Sequence, residues 1–228
     1  RGTIDRIDIY ETDDDIYIKI IDYKSGNKKF DISDVYNGLQ LQLVLYMEAA
    51  SDMIKRNAGE KNVIPAGIFY YDIKNPVIDE SDSSDWQYNL LKEMRPSGML
   101  NDRKEVISAM DEELKEGVAG TSEVIPVSFT GKGIRKGSGV LDDEKFDTLI
   151  TYVHKKAGKL GKNISEGCIE KNPYKKHDGK NPCEYCEYKP VCRFDIGLEG
   201  NKHRNLPKLD DGEIWEMMKE ADDENEMD

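Results

Sequence analysis

The sequence predicts an α/β fold, and three observations carry that expectation. Two β-rich runs flank a short acidic turn near the start. Long stretches of helical periodicity follow at 33–57 and 141–160. A compact apolar run at 63–73 separates the two helical stretches.

Thr3 to Tyr10 and Ile16 to Lys24 are the two β-rich runs, joined by Glu11-Thr12-Asp13-Asp14-Asp15, a polar stretch suited to a hairpin turn. From Ser33, which suits an N-cap, Val35, Leu39, Leu43, Tyr46, Ala50 and Met53 recur at helical spacing. Asn57-Ala58-Gly59 then supplies a stop. Val63 to Ile73 reads as a buried strand. Between Lys74 and Glu123 the pattern weakens, with short helices suggested by Leu90-Leu91 and Val106-Ile107-Met110 around a break at Pro96-Ser97-Gly98. This reads as an insertion or an elaborated connection. Val124 to Thr130 is a further strand candidate. The glycines at 131, 133, 137 and 139 then read as a flexible hairpin, because no Gly-Lys-Ser/Thr opens a helix as a phosphate-binding loop requires. Leu141 to Leu160 returns to helical spacing through Phe146, Leu149, Ile150 and Val153.

With 228 residues, 37% of them hydrophobic, the chain can bury one sizeable core with a smaller appendage. No run approaches the roughly 18 apolar residues of a membrane-spanning helix. The opening Arg1-Gly2-Thr3 already lies in a strand-like pattern, so the sequence reads as a piece of something longer. The net charge of −13 is uneven. Ten acidic residues stand against Lys219 in 210–228, whereas twelve Lys and Arg face seven Asp and Glu in 151–204. The first pattern predicts a solvated, partly disordered acidic tail. The second makes Lys155, Lys156, Lys175 and Lys176 candidate contacts to a nucleic-acid backbone, with an ordinary solvated face as the alternative. The organisation expected is a core over 1–166 with its insertion at about 74–123, a cysteine-bearing segment over 167–209 packing on the core, and the tail.

A turn centred on Asp13 and Asp14 pairs residues whose numbers sum to 27, setting Ile9 against Ile18, Ile7 against Ile20 and Asp5 against Asp22. Two apolar pairs and one acidic pair then share a face, with Lys24 two residues beyond Asp22 on that same face. Directly opposed like charges destabilise a hairpin unless a cation lies between them. Hard oxygen ligands suit Mg²⁺ or Mn²⁺, and such an ion neutralises charge building on a phosphate and makes water a better nucleophile. Lys24 would position that water or stabilise the transition state. The competing reading is a surface hairpin with an Asp–Lys ion pair. Asp8 and Arg6 fall on the opposite face.

All four cysteines are late: Cys168, then Cys183, Cys186 and Cys192 in a CxxCx5C pattern. Thiolates so spaced bind zinc or iron–sulfur clusters, the alternatives being a disulfide or chance clustering. His154, His177 and His203 lack ligand spacing and read as surface or phosphate-contacting residues.

Three stretches resemble the PD-(D/E)XK nuclease domains of the RecB-like, AddB type. They are Gly2-Thr3-Ile4-Asp5-Arg6-Ile7-Asp8, Ile20-Ile21-Asp22-Tyr23-Lys24-Ser25-Gly26 and Gly38-Leu39-Gln40-Leu41-Gln42-Leu43-Val44-Leu45-Tyr46. The resemblance implies a restriction-endonuclease-like mixed sheet with flanking helices. It implies that Asp5 and Asp22 bind Mg²⁺ (or Mn²⁺), that Lys24 assists catalysis, and that Gln42 and Tyr46, one helical turn apart, flank the site. It further implies that Cys183, Cys186 and Cys192 hold a [4Fe-4S] cluster whose fourth ligand lies upstream of this chain, leaving Cys168 as a free or buried thiol. A family motif on a helix before the first strand is missing from this sequence. The implied setting is the bacterial cytoplasm, with single-stranded DNA as substrate and an AddA-type helicase as partner, in the resection of double-strand breaks. A standalone four-cysteine exonuclease of the CRISPR-adaptation type, and a non-catalytic DNA-binding or docking module, are the rival readings.

Overall fold

In the computed structural model, residues 2–73, 86–114, 118–135 and 137–223 are described. The acidic turn closes as the alternation requires. Strand β1 (Arg6–Glu11) runs antiparallel to β2 (Asp15–Lys24), and every pair of the ladder sums to 27, including Ile7 with Ile20 and Ile9 with Ile18. Thr12 fixes the turn: its hydroxyl accepts from the Asp15 N–H at 3.0 Å.

The helical stretch beginning at Ser33 proves to be two helices. Asp31 caps α1 (Ile32–Tyr36), accepting from the N–H groups of Ser33 and Asp34. The chain then turns at Gly38, whose φ of +82° lies in the left-handed region that glycine tolerates. Only from Gln42 does α2 (Gln42–Lys55) begin. Leu43, Met47 and Ala50 are buried there, whereas Met53 is exposed.

Strand β3 (Asn62–Asp72) lies parallel to β2. The register shifts between Ile18 and Lys19, leaving Ala66 as an extra residue beside Pro65. A bulge is one of the few places where a proline, lacking an N–H, can sit within a strand. The expected insertion lies partly outside the described residues, at 74–85. Its remainder contributes α3 (Trp86–Met94), β4 (Ser97–Asn101) and α4 (Lys104–Met110). Read from sequence as a break, Ser97-Gly98 instead pairs antiparallel with Phe69 and Tyr70 in the main sheet. Gly98 is needed for that approach, since a Cβ there would collide with the Ile68 carbonyl oxygen.

Val124 to Thr130 shortens to β6 (Ser128–Thr130), flanked by β5 (Gly120–Thr121) and β7 (Gly133–Ile134) in a small three-stranded sheet. The glycine-rich segment is thus a hairpin. Strand β8 (Val140–Leu141) completes the main sheet in the order β1-β2-β3-β4-β8, antiparallel and parallel pairs alternating. The mixed α/β architecture predicted from sequence is therefore the one observed.

Asp142 caps α5 (Asp143–Ser165), accepting from the Lys145 N–H. Together with α1 and α2, α5 covers one face of the sheet, burying Ile18, Ile20, Ile68, Phe146 and Leu149 in a shared cluster. Helix α4 and the loop through Ile125 and Val127 cover the other, around Phe69 and Leu100.

The cysteine-bearing segment holds only β9 (Tyr174–Lys175), a 3₁₀ turn at Pro182–Tyr185, the short α6 (Lys189–Cys192) and β10 (Arg204–Asn205). Lys176 ties it to the core through an ion pair with Asp34 at 2.6 Å. The acidic tail differs from its expectation: α7 (Asp211–Asp223) is an ordered helix, with Ile214 and Met218 wholly buried in the first cluster. Those two residues are one turn apart and make an apolar stripe that the surrounding acids mask in composition. Residues 224–228 fall outside the described residues.

Candidate active site

The period-2 alternation of β2 that buries Ile18 and Ile20 also carries Asp22 into the same face, where it is 2% exposed. Burying a carboxylate demands compensation. Lys24, two residues on, supplies it as an ion-pair partner of Asp22 Oδ2. That ammonium is the charged partner that Asp22 Oδ2 meets in its buried position. Lys24 Nζ also donates to Gln42 Oε1 at 3.3 Å, and Gln42 Nε2 donates to the Tyr46 hydroxyl at 3.0 Å. The start of α2 therefore holds the lysine as well.

Asp5 lies one residue before β1. Its Oδ2 accepts the Tyr23 N–H at 2.9 Å, which fixes the carboxylate beside the end of β2. Asp22, Lys24, Gln42 and Tyr46 are thus linked by a chain of contacts, and Asp5 is tied to the same strand end through the Tyr23 N–H. Gly2 packs against the Tyr46 ring; a Cβ there would lie 3.3 Å from it.

Arg6 and Asp8 take the other face, as the alternation predicts. Asp8 pairs with Arg6 at 2.7 Å and Lys19 at 2.9 Å. Burial works to raise the Asp8 pKa, but the hydrogen bonds and charges of Arg6 and Lys19 outweigh it and hold the carboxyl below its ordinary range.

Tyr70, Gln40 and Asp34 also belong to the surroundings of the site, although none is among the candidates the sequence singles out. Tyr70 on β3 is the register partner of Asp22 and is buried. Burial first, then the charges of Asp22 and Asp34, push its pKa up to about 12. Lys24 and Lys28 stand over its ring, with Nζ 5.5 and 5.9 Å from the centroid. Gln40, buried, accepts from the Asp31 N–H and donates to the Lys29 carbonyl and Asp34 Oδ2, both at 3.1 Å. Asp34 joins that bond to Lys176. The signal for Gln40 was its place beside the Gln42 motif; for Tyr70 no local signal exists, because only strand pairing reveals it.

The remaining basic candidates separate. Lys156 is half-buried: its Nζ donates to the Tyr152 hydroxyl at 2.9 Å and lies over the Tyr36 and Tyr152 rings. Desolvation, then Arg204 and Lys159, lower its pKa. Lys176 is taken up by Asp34, Lys155 lies on α5, and Lys175 is exposed on β9. His154 meets Glu48 at 2.5 Å, His203 lies against Phe194 with ring centroids 5.1 Å apart, and His177 is exposed.

Whether the donors fit a metal can be judged from their chemistry. Asp5 and Asp22 are hard oxygen donors, and Asp22 is buried with Lys24 against its Oδ2. Mg²⁺ is commonly held by one or two carboxylates with several waters, so this pair fits. The cysteines offer the right donor type without an assembled site. All four are free thiols, Cys168 exposed and the other three half-buried. Burial, then the neighbouring Cys186 and Cys192, push the Cys183 thiol up. Among the described residues no group of three Cys, His, Asp or Glu side chains is placed to hold an ion.

Comparison with known families settles the class. The family model of the PD-(D/E)XK nuclease superfamily matches residues 1–193. The chain belongs to that superfamily. Within it, the sequence is 36% identical over 230 aligned positions to the B-type subunit of the ATP-dependent helicase/deoxyribonuclease of Lachnoclostridium phytofermentans, covering 98% of this chain and 20% of that protein. The corresponding proteins of Clostridium acetobutylicum (38% identical, 99% and 20% covered) and Clostridioides difficile (37%, 96% and 19%) are similar in the same way. This PD-(D/E)XK chain thus spans about a fifth of the length of the curated relatives it matches.

Proposed function

We propose that this chain is the nuclease domain of an AddB-type helicase/deoxyribonuclease protein, hydrolysing phosphodiester bonds in single-stranded DNA. The strand would be delivered by an AddA-type helicase in the bacterial cytoplasm, during resection of double-strand breaks for recombinational repair. The observation that carries this reading is Asp22: a buried carboxylate whose Oδ2 meets a lysine that Gln42 on α2 also holds.

Asp22 and Asp5 would hold Mg²⁺ or Mn²⁺, which when bound supplies charge neutralisation at the scissile phosphate and a more acidic water. Lys24 would orient the attacking water or meet the charge that develops on the phosphoryl oxygens. Gln42 and Tyr46 keep the lysine from swinging away, a geometric constraint that matters because small displacements of a reacting group are costly. Asp22→Ala in the full-length protein with its helicase partner is expected to abolish cutting of one strand while unwinding continues. Unchanged cutting of both strands would refute the assignment.

For Cys183, Cys186 and Cys192 the reading supported by thiol spacing and family likeness is a [4Fe-4S] cluster completed by a ligand outside this chain. It would act as a staple, since metal-binding energy becomes folding energy. Anaerobic purification of the full-length protein should give a brown product with iron and labile sulfide; stoichiometric zinc instead would overturn the cluster.

A further inference from the structure

Beside the carboxylates, β3 opens onto a cleft of about 770 Å³ that reaches the small three-stranded sheet. Asp5, Asp22 and Lys24 do not line it, but it adjoins them through β3. Tyr70 and Asp72, the register partners of Asp22 and Lys24, are both part of its lining. One wall is the loop that follows Lys24. Three bonds anchor that loop: the Lys28 N–H donates to Asp72 Oδ1 at 3.1 Å, the Phe30 N–H to Ser97 Oγ at 2.9 Å, and Gln40 Nε2 to the Lys29 carbonyl at 3.1 Å. The far wall is the turn after α3 and the segment after β7.

The charge of this cleft runs against that of the chain. Lys29, Lys92, Arg95 and Arg135 line it against Asp72 and Glu93, in a protein whose net charge is −13. Arg95 is planted, its guanidinium donating to the Ser122 carbonyl at 2.8 Å. Lys29 and Arg135 are exposed, and neither is ion-paired among the described residues. Ser97, Gly98, Ser128, Gly137, Ser138 and Gly139 are among its lining residues, and such small side chains let a backbone approach closely. Fixed walls, unneutralised cations and small side chains together suit a polyanion in extended form.

We infer that this cleft is the track along which a single DNA strand reaches the carboxylates, with Lys29, Arg95 and Arg135 contacting its phosphates. This rests on the proposed nuclease reading and adds positioning residues to it. None of the three belongs to the motifs of the family resemblance, and among the described residues none shares a hydrogen bond or ion pair with Asp5 or Asp22.

The test uses the full-length protein on a labelled oligothymidylate without ATP, so that unwinding does not enter. Lys29→Ala combined with Arg135→Ala should raise KM several-fold, with a smaller change in kcat. It should also make the dependence of log affinity on log salt shallower by about 1.4, from roughly 0.7 for each lost single-strand phosphate contact. Lys29→Arg with Arg135→Lys should restore both. Wild-type KM and salt slope in the double alanine variant, with cutting abolished in Asp22→Asn, would overturn the track alone. Retained cutting in Asp22→Asn would overturn the nuclease reading and the track with it.

Discussion

Removing Lys24 should destabilise the fold as well as stop the chemistry, and the size of the effect follows from the burial of its partner. The Asp22 side chain is 3% exposed and the Lys24 side chain 30%. Breaking a fully buried pair by deleting one partner costs about 3–5 kcal/mol, because the other charge is left without compensation. An exposed pair is worth about 0–1 kcal/mol. Here the surviving charge is the buried one, but water reaches the lysine end, so Lys24→Ala should cost about 2 kcal/mol, between those limits. For a domain of this size that lowers Tm by roughly 4–8 °C. Asp22→Asn should move Tm the other way or leave it, since it deletes the buried charge itself. Thermal unfolding with and without Mg²⁺ reads both effects. The ion should raise the Tm of the wild type, binding only the folded state, and should leave that of Asp22→Asn where it was. A Lys24→Ala protein as stable as wild type would show that Asp22 is not compensated by Lys24, and the pairing at the heart of the site would be refuted.

Other perturbations test the scaffold. Met218→Ala, in the acidic C-terminal helix, should cost about 2–5 kcal/mol in urea unfolding; an effect below about 0.5 kcal/mol, typical of surface positions, would return that helix to a solvated tail. Gly98→Ala should prevent soluble folding or separate β4 from β3, visible as faster amide exchange at Phe69 and Tyr70. The Arg103 hydrogen bond holds the Asp143 carboxyl below its ordinary range. Its contribution is therefore present above the usual carboxylate pKa of about 4 and is lost as pH falls through the folded value. Arg103→Ala should flatten stability over that acidic window, and an unchanged acid limb would refute the coupling.

Much of the site was legible because a hairpin with two-residue periodicity leaves little freedom. Once the turn is placed at Asp13 and Asp14, the burial of Ile18 and Ile20 commits Asp22 and Lys24 to a face. What was illegible has specific causes. The break at Gly38 hid inside a run whose apolar spacing continues across it, and Asp31 was a better cap than Ser33 only because its carboxylate reaches two N–H groups at once. Tyr70 sits in an apolar run that reads as a buried strand whatever its partner; its place beside Asp22 depends on parallel pairing with a strand some fifty residues earlier, and on a bulge at Ala66 that shifts the count. Ser97-Gly98 carries turn residues, yet the glycine serves close packing of strands. In the tail, ten acids outweighed two buried side chains, because composition averages over a helix whose two faces differ.

Helix α7 also bears on how the protein comes into being. Its buried residues complete the face formed by α1 and α5, and α1 carries the Asp34 carboxylate that meets Gln40 beside the loop after Lys24. Residues 211–223 leave the ribosome almost two hundred residues after Asp22. During that interval a nascent chain carries Asp5 and Asp22 on a sheet whose covering is unfinished. The face that carries Asp22 is thus completed by residues made long after the strand itself.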